Sequence, residues 1–432
     1  MSAVDAPGVE ERGARNRIVG FEIRQVVSLG SGTFAAAVLA LLYQFLVGHA
    51  LGPAEFADFA TALSLVYFGA VAAGPVNATA ARFSAEFAAR GQLGRVHSLA
   101  RILLRWVARF GFVACVVALI AVRPLGTWLN FRSVTPLLLA AMFLYFTLIV
   151  NLARGLLRGV QEFARYTLNI VGEAGLRLVF GIPLVLLLRD AASAVGGYLV
   201  ALVILIPLSG RQVRSIWRES ASDSVDYAVV RRFGVPMIVF ALSNAGFLTV
   251  DIVLVKHLFE NEQAGLYGGA ITLARSIGLI YAPFGAMMIP LFVAEAVTGG
   301  RPSGTLLRIC LYFVALGVVP ILAFALWPSE ILGLTLGSAF SQAAPILVPL
   351  AASMLLAGVS ALIGNALAGL DRFLFLAPYT GGLLLETILL SVRHGSLEEI
   401  ALLVLTVQAL TAGAMILTAI VTPGLRANTR VI

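Results

Sequence analysis

The sequence runs to 432 residues, of which 60% are hydrophobic and 12% charged, and its mean hydropathy is +0.96. A water-soluble chain would be about one quarter charged, so a soluble globular protein is excluded and a membrane protein is implied. The net charge of +8 excludes little until the placement of the basic residues is known.

In chain order, residues 1–26 are polar and carry Arg12, Arg15, Arg17 and Arg24. They lack a short apolar core followed by a small-residue cleavage site, so a cytoplasmic tail is expected rather than a secretory signal. A spanning helix needs about 20 mostly apolar residues. Such stretches follow at 27–48, 56–79, 102–122, 135–153, 166–188 and 194–209, giving a first lobe over 27–210. A cytoplasmic linker is expected over 211–233. Six more stretches, at 234–256, 265–294, 306–326, 342–365, 374–392 and 399–421, give a second lobe over 234–421, with 422–432 as a cytoplasmic C-tail. The expected fold is an all-α membrane protein of about twelve transmembrane helices, with no room for a separate soluble domain.

Of the 30 basic residues, 23 fall in the two tails and in alternate loops, five (Arg123, Arg132, Arg189, Lys256 and Arg393) in the intervening loops, and Arg177 and Arg275 inside spans. Basic residues stay on the cytoplasmic side during insertion, so both termini are expected there. The positive charge is then mostly topology and attraction to anionic head groups. A nucleic-acid surface would gather its basic residues on one face; here they are spread and the aromatics lie in hydrocarbon. Trp106, Trp128 and Trp327 sit near expected helix ends, where indole rings favour the interface. Cys115 and Cys310 lie in apolar spans, and His49, His97, His257 and His394 stand apart from other ligand-type residues. Neither a disulfide nor a metal site is expected.

The chain repeats itself. Shifted by 208, Leu46-Val47 falls on Leu254-Val255, His49 on His257, Ala62 on Ala270, Leu65 on Leu273, Pro75 on Pro283 and Ala78 on Ala286; at 210, Leu157, Gly159 and Phe163 fall on Leu367, Gly369 and Phe373. A repeat of six helices preserves orientation, so the pseudo-symmetry axis runs along the membrane normal. Two pseudo-symmetric six-helix bundles facing a central cavity are expected.

The stretch "LGPAEFADFATALSL" resembles the signature between the first two helices of polysaccharide-biosynthesis flippases, the Wzx-like branch of the multidrug/oligosaccharidyl-lipid/polysaccharide (MOP) exporter superfamily. "VDIVLVKHLFENEQAGLYGGAITLAR" and "RGLLRGVQEFARYTLNIVGEAGLRLVFGIPL" resemble the matching parts of the second lobe and of the fourth-to-fifth-helix hairpin. One departure is Ala57-Asp58-Phe59 where the pattern has Gly-x-Tyr, which the second half keeps as Gly265-Leu266-Tyr267. The resemblance implies a transporter, not an enzyme. Its cargo would be a polyprenyl-pyrophosphate-linked oligosaccharide, a lipid-linked anionic glycan, moved between leaflets by alternating access without nucleotide hydrolysis. Membrane lipids and polysaccharide polymerase or assembly proteins are the implied partners.

Ionisable groups in the hydrocarbon cost about 2.5–3.5 kcal/mol each on insertion scales and normally face a bundle interior or a wet cavity. Glu173 and Arg177, four apart, share a helical face. They are either a mutually neutralised structural pair or a cleft lining in which Arg177 attracts pyrophosphate and Glu173 releases it. Asp251 and Arg275 are placed for a bridge across two helices, a gate if it exists in one state only and a structural pair otherwise. Glu386 has no basic residue within a turn, which suits proton coupling or an outward-facing helix end. Arg24 is a head-group anchor or a cavity entrance. Gln44, Asn77, Asn151, Asn169 and Asn244 would contact sugar hydroxyls or other helices. Pro75 and Pro283 are repeat-equivalent kink positions, serving either bending or static shape. "LGSGTF" at 29–34 lacks the Gly-Lys-Ser/Thr ending of a phosphate loop, so no cofactor is expected and energy would come from a proton or sodium gradient, the substrate gradient or downstream consumption. The alternative within the superfamily is a MATE-like cation-coupled drug or metabolite antiporter, which would carry fewer internal arginines. A membrane glycosyltransferase would need a larger loop with acid/base groups.

Overall fold

The computed structural model describes residues 9–70, 77–214, 228–298, 302–370 and 372–422, a few positions between 78 and 91 excepted; side chains are described from Ser31 on, those of 215–235, 293–301 and scattered neighbours excepted. Pro75, the Arg24 side chain, residues 215–227 of the expected linker and the C-tail from 423 lie outside the described residues.

Among the described residues there are helices and no strand. Helix α1 (Val9–Ala70) is two helices joined at a corner: Gly52 takes φ 70°, a left-handed value that costs glycine little, and Pro53 follows it into the second arm. A proline is tolerated in a first helical turn, where its missing N–H would be unpaired anyway. The Leu-Gly-Pro sequence thus writes the corner between the first two expected spans.

Next come α2 (Leu93–Trp128), α3 (Thr135–Gly159) and α4 (Phe163–Leu176), which runs through a π-helical turn at Arg177–Gly181 into α5 (Ile182–Leu188). Helix α6 (Ala191–Gln212) starts at Asp190, whose carboxylate accepts from the Ser193 N–H at 2.8 Å, a standard N-cap. The second half begins with α7 (Ala228–Phe247) and α8 (Val250–Leu258), bent by 42° between them. It continues through α9 (Asn261–Ala274), α10 (Ile277–Thr298), α11 (Pro302–Leu326), the short α12 (Pro328–Leu336), a 3-10 turn (Ser338–Ala343) and α13 (Ala344–Gly369). It ends with α14 (Leu376–Val392) and α15 (Leu397–Val421), the latter capped by Ser396.

Eight of the described helices are long and apolar enough to cross a membrane, nine if the bent pair 238–258 counts as one. The remaining expected segments fall on helices that are kinked at Gly52, broken at Arg275–Ser276 or as short as α14. Helices also run beyond the apolar windows. Backbone is helical from Val9 and from Leu93, not from 27 and 102. Arginines make good helix and poor hydrocarbon, so a hydropathy window stops where the membrane does while the helix continues. Arg95 and Arg101, expected in a loop, therefore stand on α2.

In the first half α3 packs on α6 and α1 on α4; in the second α13 packs on α15 and α10. Across the halves the main contact is α1 with α9. One apolar core runs through both, from Tyr43 and Phe59 to Tyr267, Phe340 and Leu362. Leucines, valines and aromatics such as Phe110, Leu187, Val319 and Leu334 stay exposed on the outside, the surface of a chain whose solvent is lipid. This is a multi-pass membrane protein.

Candidate functional site

The halves meet along the second arm of α1 and along α9, which are repeat-equivalent. At the corner end they touch: a Cβ at Gly265 would run into the carbonyl oxygen of Pro53, and one at Gly268 would lie 3.3 Å from the Cβ of Ala60. Ala60 and Gly268 differ by the repeat offset of 208, so the pseudo-symmetry axis passes between them.

Charged groups close the same end. Asp58 and Lys256 form an ion pair at 2.6 Å with side chains 1% and 0% exposed. The Arg132 N–H donates to Asp58 Oδ2 at 3.1 Å, and the Lys256 ammonium donates to Asn130 O at 3.2 Å and to Asn261 Oδ1. Arg132 also pairs with Glu55 at 3.2 Å, and Glu55 accepts from the Ala191 N–H at 3.0 Å. Next to this the His257 ring stacks on Trp128 with centroids 4.2 Å apart, and Asn130 Nδ2 donates to His257 O at 3.1 Å. The turn at 128–132 of one half thus grips the end of α8 in the other.

The reciprocal contact exists. His49 packs against Gly337, at the corner between α12 and the 3-10 turn, and Phe56 meets Phe340 edge-on with centroids 5.4 Å apart. Leu129 and Gly337 are again 208 apart. Each Leu-Val-x-His phrase therefore ends a helix that docks on the other half's third-to-fourth-helix corner, which is why the phrase occurs twice.

Away from the corner end lies a cavity of about 500 Å³, built mostly by the second half and bordered by the first. It is lined by Tyr67 of the first half and by Asn244, Leu248, Arg275, Tyr281 and Met354 of the second, among others. Arg275 sits where α9 ends and α10 begins. Its guanidinium donates to Ser64 Oγ at 3.2 Å and to Leu248 O, and among the described residues it forms no direct ion pair, although Asp251 is near enough to feel its charge.

A second polar cluster lies inside the first half. Glu173 is shared between Arg177, one turn on, and Arg154 of α3, whose Nη2 lies 2.5 Å from Glu173 Oε2. Arg154 Nε also donates to Asn169 Oδ1 at 2.7 Å, and Asn169 donates to Ser209 Oγ at 2.7 Å and Gln212 Oε1 at 3.0 Å. The Arg177 guanidinium lies 4.2 Å from the Tyr198 ring centroid, within cation–π range. Two guanidiniums on one carboxylate leave an excess of one positive charge. Arg158, a turn beyond Arg154, donates to Asn77 Oδ1 at 2.8 Å.

A third cluster is in the second half. Tyr267 donates to Asp251 Oδ2 at 2.8 Å and Gln408 Nε2 to Glu386 Oε2 at 3.0 Å. The other oxygens, Asp251 Oδ1, Glu386 Oε1 and Gln408 Oε1, and the Thr411 hydroxyl are buried without a partner.

A model of the polysaccharide biosynthesis protein family matches residues 23–294. The chain belongs to that family. No curated protein matches the sequence closely. Among solved structures, the fold is similar to a multidrug-resistance MATE-family transporter of the MOP superfamily in an inward-facing conformation (TM-score 0.72, 14% identity, 88% of this chain and 92% of that one). It is also similar to the lipid II flippase MurJ in an inward closed conformation (TM-score 0.70, 12% identity, 92% and 88%) and to a eukaryotic MATE transporter (TM-score 0.62, 16% identity, 93% and 97%). The fold is that of MOP-superfamily transporters.

Arg275 lines the cavity described; Glu173, Arg177, Asp251 and Glu386 do not line it and are enclosed within their own halves. The Glu173–Arg177 pair forms as its spacing dictates, but Arg154, assigned from sequence to a loop, completes it. The Asp251–Arg275 bridge is replaced by other bonds: α8 and α9 run back to back, which brings Tyr267 level with Asp251, while Arg275 lies eight residues, about 12 Å, further along. The helix break near Pro283 falls at Arg275–Ser276 rather than at the proline itself. The Asp58–Lys256 closure was not anticipated, although Asp58 is the central residue of the Ala57-Asp58-Phe59 departure from the family pattern.

Proposed function

We propose that this chain is a flippase that moves a polyprenyl-pyrophosphate-linked oligosaccharide across a bacterial cytoplasmic membrane by alternating access, with both termini in the cytoplasm, and that it is not an enzyme. The observation that carries the reading is Arg275: an arginine with no ion pair to a carboxylate among the described residues, in a cavity of the second half that the first half borders through Tyr67, and bonded to Ser64 of the first half. A guanidinium binds phosphate oxygens in paired, charge-assisted hydrogen bonds, and Tyr67, Tyr281 and Asn244 add groups suited to sugar hydroxyls. Closure at the corner end supports a resting state open toward the cytoplasm. The pyrophosphate would compete with Ser64 and Leu248 O for Arg275, loosening a contact that joins the halves. The family membership and the likeness to a lipid II flippase support the same class of cargo.

The orphaned oxygens of Asp251, Glu386, Gln408 and Thr411 support coupling to a proton or sodium ion. Hard oxygen donors suit a hard cation, and buried acceptors lack the water that would otherwise satisfy them. In this part the residues would bind and release the ion, and Tyr267 would hold Asp251 in place.

Deleting the protein and extracting the lipids tests the function. Lipid-linked oligosaccharide should accumulate in the cytoplasmic leaflet; unchanged glycans with altered drug tolerance would instead favour the antiporter. Arg275→Ala should sharply reduce export while the protein still inserts, and normal export by that variant would reject the cationic-cavity mechanism.

A further inference from the structure

Helix α2 packs chiefly on α3 among the described helices and leaves its other side uncovered: Trp106, Phe110, Val113, Val117 and Ile120 are all more than half exposed. A pocket of about 380 Å³ on that side is lined by Ile102, Arg105, Trp106, Arg109 and Phe110. Those positions recur at three- and four-residue steps, so they form one stripe, and the same steps continue through Val113, Val117 and Ile120. The stripe changes character once. It is cationic and aromatic as far as Phe110 and wholly apolar for the ten residues beyond, about 15 Å of helix.

Depth can be read along α2. Trp106 and Trp128 are 22 residues apart, about 33 Å of helix, close to the ~30 Å thickness of bilayer hydrocarbon. Indole rings favour the two interfaces, so Trp106 marks the head-group level of one leaflet and Val117, about 16 Å along the helix, the depth of its tail ends. Helical side chains lean toward the N-terminus, which lets Arg109, nearly a turn deeper, return its guanidinium to the level of Trp106, with which it shares the pocket. Trp106 and Phe110 stack with centroids 4.8 Å apart. Arg101, one step further out, is engaged by His97 at 3.1 Å. Arg105 and Arg109 have no ion pair or hydrogen bond among the described residues.

We infer that this stripe is a binding site for one anionic glycerophospholipid. Arg105 and Arg109 hold the head-group phosphate, Trp106 and Phe110 lie beside the glycerol, and an acyl chain follows Val113 and Val117. The stretch from Trp106 to Val117, about 16 Å, matches half the hydrocarbon thickness, the span of one leaflet, and the cations stand at the one depth where a lipid carries charge. General attraction of basic loops to an anionic leaflet would need neither that register nor the aromatic pair. The site stands apart from the cavity between the halves, so it does not depend on the cargo proposed above.

The test counts lipids on the full-length protein. Purified protein is equilibrated with phosphatidylglycerol or phosphatidylcholine, and bound lipids are counted by native mass spectrometry. Wild type should retain one phosphatidylglycerol beyond its phosphatidylcholine count, and R105Q/R109Q should lose it. R211Q/R308Q, which removes the same charge from other exposed arginines, should keep it. Equal loss in both double variants, or no phosphatidylglycerol excess in wild type, overturns the inference. If R105Q/R109Q does not purify as a single species, brominated lipids decide: brominated phosphatidylglycerol should quench more tryptophan emission than brominated phosphatidylcholine, and Trp106→Phe should erase the difference. Equal quenching by the two lipids would reject the site.

Discussion

Ala60 and Gly268 face each other across the boundary between the halves, with 3.3 Å between the Cβ of Ala60 and the position a Cβ at Gly268 would take. Disulfides need Cβ separations of about 3.5–4.5 Å, within reach of a small adjustment. With Cys115 and Cys310 replaced by serine, Ala60→Cys with Gly268→Cys should crosslink under mild oxidation. Transport should fall at least ~10-fold and recover on reduction, because a covalent tie across the axis holds the corner end shut. Full transport by the crosslinked protein would mean that this contact does not open during the cycle.

The Asp58–Lys256 pair is fully enclosed, and removing one partner from such a pair typically costs about 3–5 kcal/mol because the other is left buried and uncompensated. Lys256→Ala and Asp58→Leu should each lower the unfolding temperature in detergent. The combination Asp58→Leu/Lys256→Met should restore most of it, since apolar replacement of both partners is often neutral. A double variant as unstable as either single one would show that the pair is not the unit of stability here.

Glu173 serves two arginines. Glu173→Gln should therefore destabilise more than Arg154→Gln, which leaves the carboxylate one cation. Arg275→Gln should act the other way, leaving the unfolding temperature nearly unchanged and reducing export by roughly 10–100-fold, the worth of a charge-assisted phosphate contact. The two readouts measured together on all three variants separate the structural cluster from the cavity.

Gly265 is bare for a steric reason: a methyl there meets a backbone oxygen of the other half. Gly265→Ala should wedge the corner end apart, raising the reactivity of a cysteine placed at Thr61, which is 1% exposed in this state. Gly175→Ala, with open space around it, should leave that reactivity unchanged.

Much of the architecture could be read from the chain because insertion into lipid imposes it: apolar windows of helix length and a repeat long enough to fix the axis. The Glu173–Arg177 pair was legible from spacing alone, since four residues is a property of the helix and not of the fold. The residues missed are those whose meaning is tertiary. Arg154 reads as a loop residue because a hydropathy window ends before it, yet α3 continues and Glu173 waits on the next helix. Asp58 and Lys256 are 198 positions apart, and nothing local couples them. One signal was available: Lys256 is the only lysine in the sequence, an exception in a chain that elsewhere uses arginine.

That exception makes the chain its own probe. The sole amine-bearing side chain is sealed under the corner-end closure, so an acylating reagent applied from outside should find it only in molecules that have swung open. The fraction labelled over time, with cargo present and absent, would then count opening events on unmodified wild-type protein.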